Sequence, residues 1–250
     1  MTITQGLAAQ FRDVGMPPEK ILVCPDAVDL PAFGNLPDRN TARRRLELDT
    51  GRFLVVYSGH LYEKKGVFTL IQAAQELPDM DFLFLGGFES DISKCKAAAD
   101  GARNIHFPGF VSYGDVPMYL AAADACVLPN SARHAQSAVT SPLKLFEYMA
   151  AERPIIASDL PVFSGHLAND RNCRLFTPDD PTSLAEQLRF VAGNHEQAAG
   201  LACQARIDVI PHTWDNRAAK ILEFCQARCE PLRRPALGAQ SDSTARTGTG

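Results

Sequence analysis

The segment Ser58-Gly59-His60-Leu61-Tyr62-Glu63-Lys64-Lys65-Gly66 follows an apolar run, Phe53 to Tyr57, and leads into an amphipathic pattern that begins near Val67. A strand, a glycine turn, a lysine and a helix start in that order can hold an anion. Backbone N–H groups at a helix N-terminus and a mobile ammonium both suit a diphosphate. An ordinary βα loop with solvated lysines gives the same pattern, because glycine and lysine are common there. A second stretch, Thr140-Ser141-Pro142-Leu143-Lys144-Leu145-Phe146-Glu147-Tyr148-Met149-Ala150, comes after Cys126-Val127-Leu128-Pro129-Asn130. Ser141 suits an N-cap and Pro142 a first helical position, so free N–H groups make this a second candidate anion site. Lys144 and Glu147 share a helical face and read as a surface ion pair, or Glu147 accepts two neighbouring ribose hydroxyls. The ribose role is favoured because both stretches fall where a parallel sheet puts its ligand.

The elements that must position these residues are apolar runs alternating with helical patterns. Strands are expected at Ile21 to Cys24, Phe53 to Tyr57, Phe82 to Leu85, Ile105 to Phe107, Ala125 to Leu128, Pro154 to Ala157 and Arg174 to Phe176. Val67, Leu70, Ile71, Ala74 and Leu77 share one helical face. Pro181 to Ala192, Glu196 to Val209 and Trp214 to Arg228 close the chain as helices, Trp214 being expected to pack on the core. The pattern predicts an α/β fold: a Rossmann-like parallel sheet with helices on both faces and a ligand crevice at the carboxyl ends of the strands. From Pro231 the sequence is rich in Arg, Pro, Gly, Ser and Thr and offers no apolar face, which predicts a disordered C-terminal tail.

With 46% hydrophobic residues and a net charge of -4, the chain can form a compact core and carries no broad field for nucleic acid. The seven cysteines form no CxxC pair and the six histidines no HExxH, so free thiols and no metal are expected. The N-terminus lacks a basic region with a long apolar run, and no apolar stretch approaches the roughly 20 residues that span a bilayer. A cytoplasmic protein is expected, with peripheral attachment to the inner face of a membrane left open. A nicotinamide dehydrogenase fits the alternation, but no GxGxxG follows the first strand.

Taken in order, Tyr57-Ser58-Gly59-His60-Leu61, Lys65-Gly66, Phe84-Leu85-Gly86-Gly87, Phe107-Pro108-Gly109-Phe110, Ala122 to Pro129, Ser141 to Ala150 and Pro154-Ile155-Ile156-Ala157-Ser158 resemble the C-terminal, nucleotide-sugar-binding domain of group 1 (GT4-type) glycosyltransferases of the GT-B fold. The resemblance runs from about Ile21 to Phe224. It implies retaining transfer of a sugar to an alcohol acceptor without a metal, with Lys65 at the donor diphosphate and Glu147 at the ribose as the catalytic-centre residues. It further implies that Gly59 and His60 lie at the phosphates, Ser141, Pro142 and Leu143 at phosphate or sugar, and Gly109-Phe110-Val111 beside the base.

Three positions depart from the family pattern. His60 stands where arginine is common, and a histidine has fewer donors and titrates near neutrality. Val139 stands where a first acidic residue precedes Glu147 by eight positions. Glu152 replaces a glycine expected at a helix end. A complete GT-B enzyme also has a preceding acceptor domain. Residues 1–25 resemble only its end and the linker, with Thr4 to Val14 as its last helix, residues 26–230 the donor domain and 231–250 the tail. The missing half would come from a longer coding sequence or a separate chain. The alternative is a non-catalytic nucleotide-sugar-binding or partner subunit.

Overall fold

The computed structural model describes residues 1–49, 51–134, 139–141 and 143–228. The tail expected from 231 onward lies outside them. Six strands form one parallel sheet: β1 Phe53–Ser58, β2 Met80–Leu85, β3 Ile105–Gly109, β4 Ala125–Leu128, β5 Ile155–Ser158 and β6 Arg174–Phe176, in the order β3-β2-β1-β4-β5-β6. The chain winds outward from β1 to β3, returns to lay β4 beside β1, and winds out the other way. The switch point between β1 and β4 therefore opens a crevice at their carboxyl ends.

Each central strand is apolar on both faces because helices cover both. Leu54 and Val56 of β1, with Leu83, Leu85, Cys126 and Leu128, pack into one core layer. Val55 and Tyr57, with Phe82, Phe84, Ala125 and Val127, pack into the other. The first layer meets α2 Arg39–Arg45, α5 Val116–Ala122, α6 Leu143–Ala150 and α8 His195–Val209. The second meets α3 Val67–Gln75, α4 Glu89–Ala99 and α7 Pro181–Gly193. This two-sided burial is why the strands read as continuous apolar runs. Val67, Leu70, Ile71 and Ala74 bury the predicted stripe of α3.

Two expectations need correction. Ile21 to Cys24 is not a strand of the sheet: Val23 makes a single bridge to Thr2. The segment runs into Pro25, which has no N–H to extend a ladder. Trp214 heads α9 Trp214–Gln226 but is 39% exposed, and no residue of α9 is buried. Its ring instead lies beside the Arg217 guanidinium, 5.4 Å from the centroid. The helical stripe of α9 is real, but it is covered only in part: Ile221 is half-buried and Leu222 is exposed. Near the N-terminus, α1 Gln5–Asp13 is capped by Thr4 and tied to the domain through the Thr4 hydroxyl and the Val139 carbonyl. Among the described residues no helix is long and apolar enough to cross a membrane.

Candidate functional site

The loops after β1 and β4 meet at the switch point. Gly66 holds φ +70° between a 3-10 turn, Glu63–Lys65, and the start of α3. A Cβ there would stand 1.7 Å from the Pro129 carbonyl oxygen, so only glycine lets the two loops touch. The Ser131 amide donates to the Lys64 carbonyl at 3.3 Å and closes the same junction. Above it, α6 is pinned to the end of β1: the Tyr148 hydroxyl accepts the Ser58 amide at 2.8 Å.

These contacts frame a cleft of about 460 Å³. Its walls include seven of the residues singled out from sequence: Gly59, His60, Lys65, Phe110, Ser141, Leu143 and Glu147. Pro142 lies outside the described residues. Gly109 sits behind the wall, where its carbonyl accepts the Gly86 amide at 2.7 Å and the chain then turns Phe110 and Val111 towards the opening. Phe110 is 86% exposed, so its ring is free to cover a flat ligand. The His60 ring stacks on Tyr62 at 4.9 Å and on Phe88 at 5.4 Å, which holds it at the rim.

The charges of the cleft are unusual for their depth. Glu147 and Lys144 are both buried, and among the described residues no ion pair joins them, which rules out the surface-pair reading. Burial raises the Glu147 pKa, while Lys144 pulls it back down. Among the described residues Lys144 Nζ has no hydrogen-bond partner, and it lies 3.8 Å over the centre of the Tyr57 ring. Lys65 lines the same cleft and is half-buried, and burial followed by the Lys64 charge lowers its pKa. The Glu147 carboxylate, the Lys65 and Lys144 ammonium groups and the start of α6 thus line one space.

Sequence reasoning missed three lining residues. Asp26 arrives from the segment before α2; its amide donates to Ser141 Oγ at 3.1 Å, which uses the hydroxyl expected to cap α6. Burial raises the Asp26 pKa, opposed by the Arg217 charge and the Ser141 hydrogen bond. Tyr113 enters from the loop after β3, and burial and then the Glu147 charge raise its pKa. Lys144 was seen only as a partner for Glu147. No local pattern announces any of these contacts, since each depends on chain segments far apart in sequence.

The model of the family described as "Glycosyl transferases group 1" matches residues 52–194, which include all six strands and most of the cleft. The chain belongs to this family. It is 29% identical over 157 residues to the alpha-galactosylglucosyldiacylglycerol synthase of Streptococcus pneumoniae, across 60% of this chain and 40% of that protein. It is 26% identical over 202 residues to the phosphatidyl-myo-inositol mannosyltransferase of Mycolicibacterium smegmatis, across 79% of this chain and 50% of that protein. The chain therefore spans half or less of the length of these relatives. Among solved structures, Anabaena Alr3699/HepE in complex with UDP-glucose superposes with a TM-score of 0.80 at 20% identity, over 90% of this chain and 63% of that one. The C-terminal domain of the group 1 protein LpcC from Francisella tularensis superposes with a TM-score of 0.61 at 19% identity, over 73% of this chain and 96% of that one. The fold is the Rossmann-like half of the GT-B architecture.

Proposed function

We infer that the cleft between β1 and β4 binds a nucleotide sugar, and that this chain is the donor-binding part of a retaining glycosyltransferase acting on an alcohol acceptor. One observation carries the reading: the switch-point cleft brings Lys65, Glu147 and the start of α6 together beside the exposed ring of Phe110. In this reading the Lys65 ammonium and helix-terminal amides hold the diphosphate, Glu147 accepts the ribose hydroxyls, and Phe110 with Val111 covers the base. Transfer concentrates negative charge on the departing diphosphate, and fixed donors in a dry cleft stabilise it there. The sugar passes through an oxocarbenium-like state while the leaving diphosphate takes the acceptor proton. Protein cations do the neutralising, so no metal is required.

The UDP-glucose complex of Anabaena HepE supports this reading of the donor side. The acceptor side belongs, in this proposal, to the part of the architecture that the relatives have in addition, whether in the same polypeptide or in another chain. A non-catalytic subunit is the second reading. It is favoured by the exposed apolar residues Phe11, Val14 and Leu222 on α1, its C-cap and α9, which another protein part would cover. Titration calorimetry with UDP-, GDP- and ADP-sugars in EDTA tests the donor site. Saturable binding of one of them is expected; binding of none, or binding only with added divalent metal, would count against the proposal.

A further inference from the structure

An ammonium removed from water is stable only when acceptors replace the water it lost. Lys144 meets the first half of that condition and not the second. It is 9% exposed, and among the described residues its Nζ has no hydrogen-bond partner. The nitrogen is wedged between the Tyr57 ring and the turn after β1, where a Cβ on Gly59 would stand 3.0 Å away. Gly59 adopts φ +125° and leaves the space that the lysine uses. The π-face recovers part of the lost solvation, but supplies none of the three acceptors an ammonium can use.

The groups facing Lys144 are Tyr57 from β1, Lys65 from the loop after it and Glu147 one turn along α6, with Asp26, His60 and Tyr113 lining the same cleft. Two lysines directed at one space repel each other when it is empty and cooperate when it holds an anion. We propose that Lys144 is a second phosphate-binding cation of this cleft, kept without an acceptor against the Tyr57 ring until a nucleoside diphosphate supplies one. This role rests on the nucleotide-sugar reading of the cleft and makes it more specific. A neutral nucleoside would gain nothing from Lys144, whereas the diphosphate group would bridge it to Lys65.

Binding is then coupled to a proton. Burial, and next the charge of Lys65, lower the Lys144 pKa well below that of a free lysine, with Glu147 opposing. A bound anion raises it again, so complex formation takes up a proton between the two pKa values, and affinity falls as pH rises through that interval. The same logic sets the sign for stability. Lys144→Met removes a buried charge without a partner and fills its volume, so the ligand-free domain should be at least as heat-stable as wild type.

The test is calorimetry with UDP-glucose, GDP-mannose and ADP-glucose, whose diphosphates do not titrate near neutrality, and with uridine, guanosine and adenosine as uncharged controls. Whichever nucleotide sugar the wild type binds should lose about tenfold or more in affinity on Lys144→Met. Nucleoside binding should stay within about twofold, ligand-free Tm should hold or rise, and proton uptake, read from two buffers, should fall. Equal affinity for the nucleotide sugar would overturn the role, as would an equal loss for the nucleoside or a lowered Tm that Lys144→Gln reproduces. The two failures are separable. If Lys65→Ala weakens binding and Lys144→Met does not, only the second cation is wrong; if the wild type binds no nucleotide sugar, the reading of the cleft fails and Lys144 loses its ligand with it.

Discussion

Two buried cations at opposite ends of the central sheet, Arg43 and Lys144, are held in opposite ways. At the amino end, Arg43 is fully buried, and its guanidinium donates to Asp124 at 2.5 Å, to the Ala122 carbonyl at 2.8 Å and to the Arg52 carbonyl at 2.7 Å. Asp124 also accepts from Arg39 and from the Leu54 amide, so the carboxylate locks the starts of β1 and β4 to α2. At the carboxyl end, Lys144 and Glu147 are also buried, yet among the described residues Lys144 has no acceptor. Arg43, with its partners inside the fold, holds that fold together, whereas Lys144 borders a cleft from which a ligand could supply the acceptor.

The sharpest way to break this comparison is at the amino end. Asp124→Ala leaves Arg43 buried without its counter-charge and the Leu54 amide without its acceptor, which should cost about 3–5 kcal/mol of stability. Urea denaturation would measure it, and a loss below about 1 kcal/mol would show that the network contributes no more than a surface pair. At the carboxyl end the effect should move from stability to binding. Lys65→Ala and Glu147→Ala should each weaken nucleotide-sugar binding by about 1.5–3 kcal/mol, tenfold or more, with circular dichroism unchanged. Unchanged affinity in both variants would remove the proposed site.

Glu147 also gives the comparison a pH signature. Burial raises its folded-state pKa above the unfolded value of 4.5. The folded protein therefore binds more protons between those two values, and the stability contributed by the protonated carboxyl is lost as pH rises through that window. Glu147→Gln should flatten this part of the ligand-free stability profile and leave the pH 7 stability equal or higher. An unaltered profile would place the titration elsewhere.

The sheet was legible because a strand buried on both faces is apolar at every position, as in Phe53 to Tyr57 and Ala125 to Leu128. Seven cleft residues were legible because glycine turns and helix starts follow those strands. The depth of α6 was not. The rule that places residues three apart on one face assumes a helix with a polar side, and α6 is buried continuously from Lys144 to Ala150. Trp214 shows the converse error: an apolar stripe on α9 states that a face exists and not what covers it. Glu152, where the family pattern has glycine, follows the end of α6 and holds φ +53°.

Two smaller effects sharpen the picture. Glu152→Gly relieves that left-handed conformation and should raise stability by about 1 kcal/mol, readable as a higher Tm; no gain would mean that the flexibility of glycine in the unfolded chain offsets it. His60→Arg brings a permanently charged, five-donor group to the rim of the cleft and should strengthen nucleotide-sugar binding by a few fold, to roughly 1 kcal/mol. Identical affinities for wild type and variant would assign His60 to its stack with Tyr62 and Phe88 alone.

The central claim is that the space between β1 and β4 is the donor site, and amide NMR during titration of UDP-, GDP- and ADP-sugars tests it most directly. The account predicts that one of these ligands shifts Gly59, Lys65, Gly86, Ser141, Leu143 and Glu147 together along one binding curve, while Leu54, Ala122 and Asp124 at the other end of the same strands stay in place. Shifts confined to the Asp124 end, or none with any of the three ligands, would contradict it.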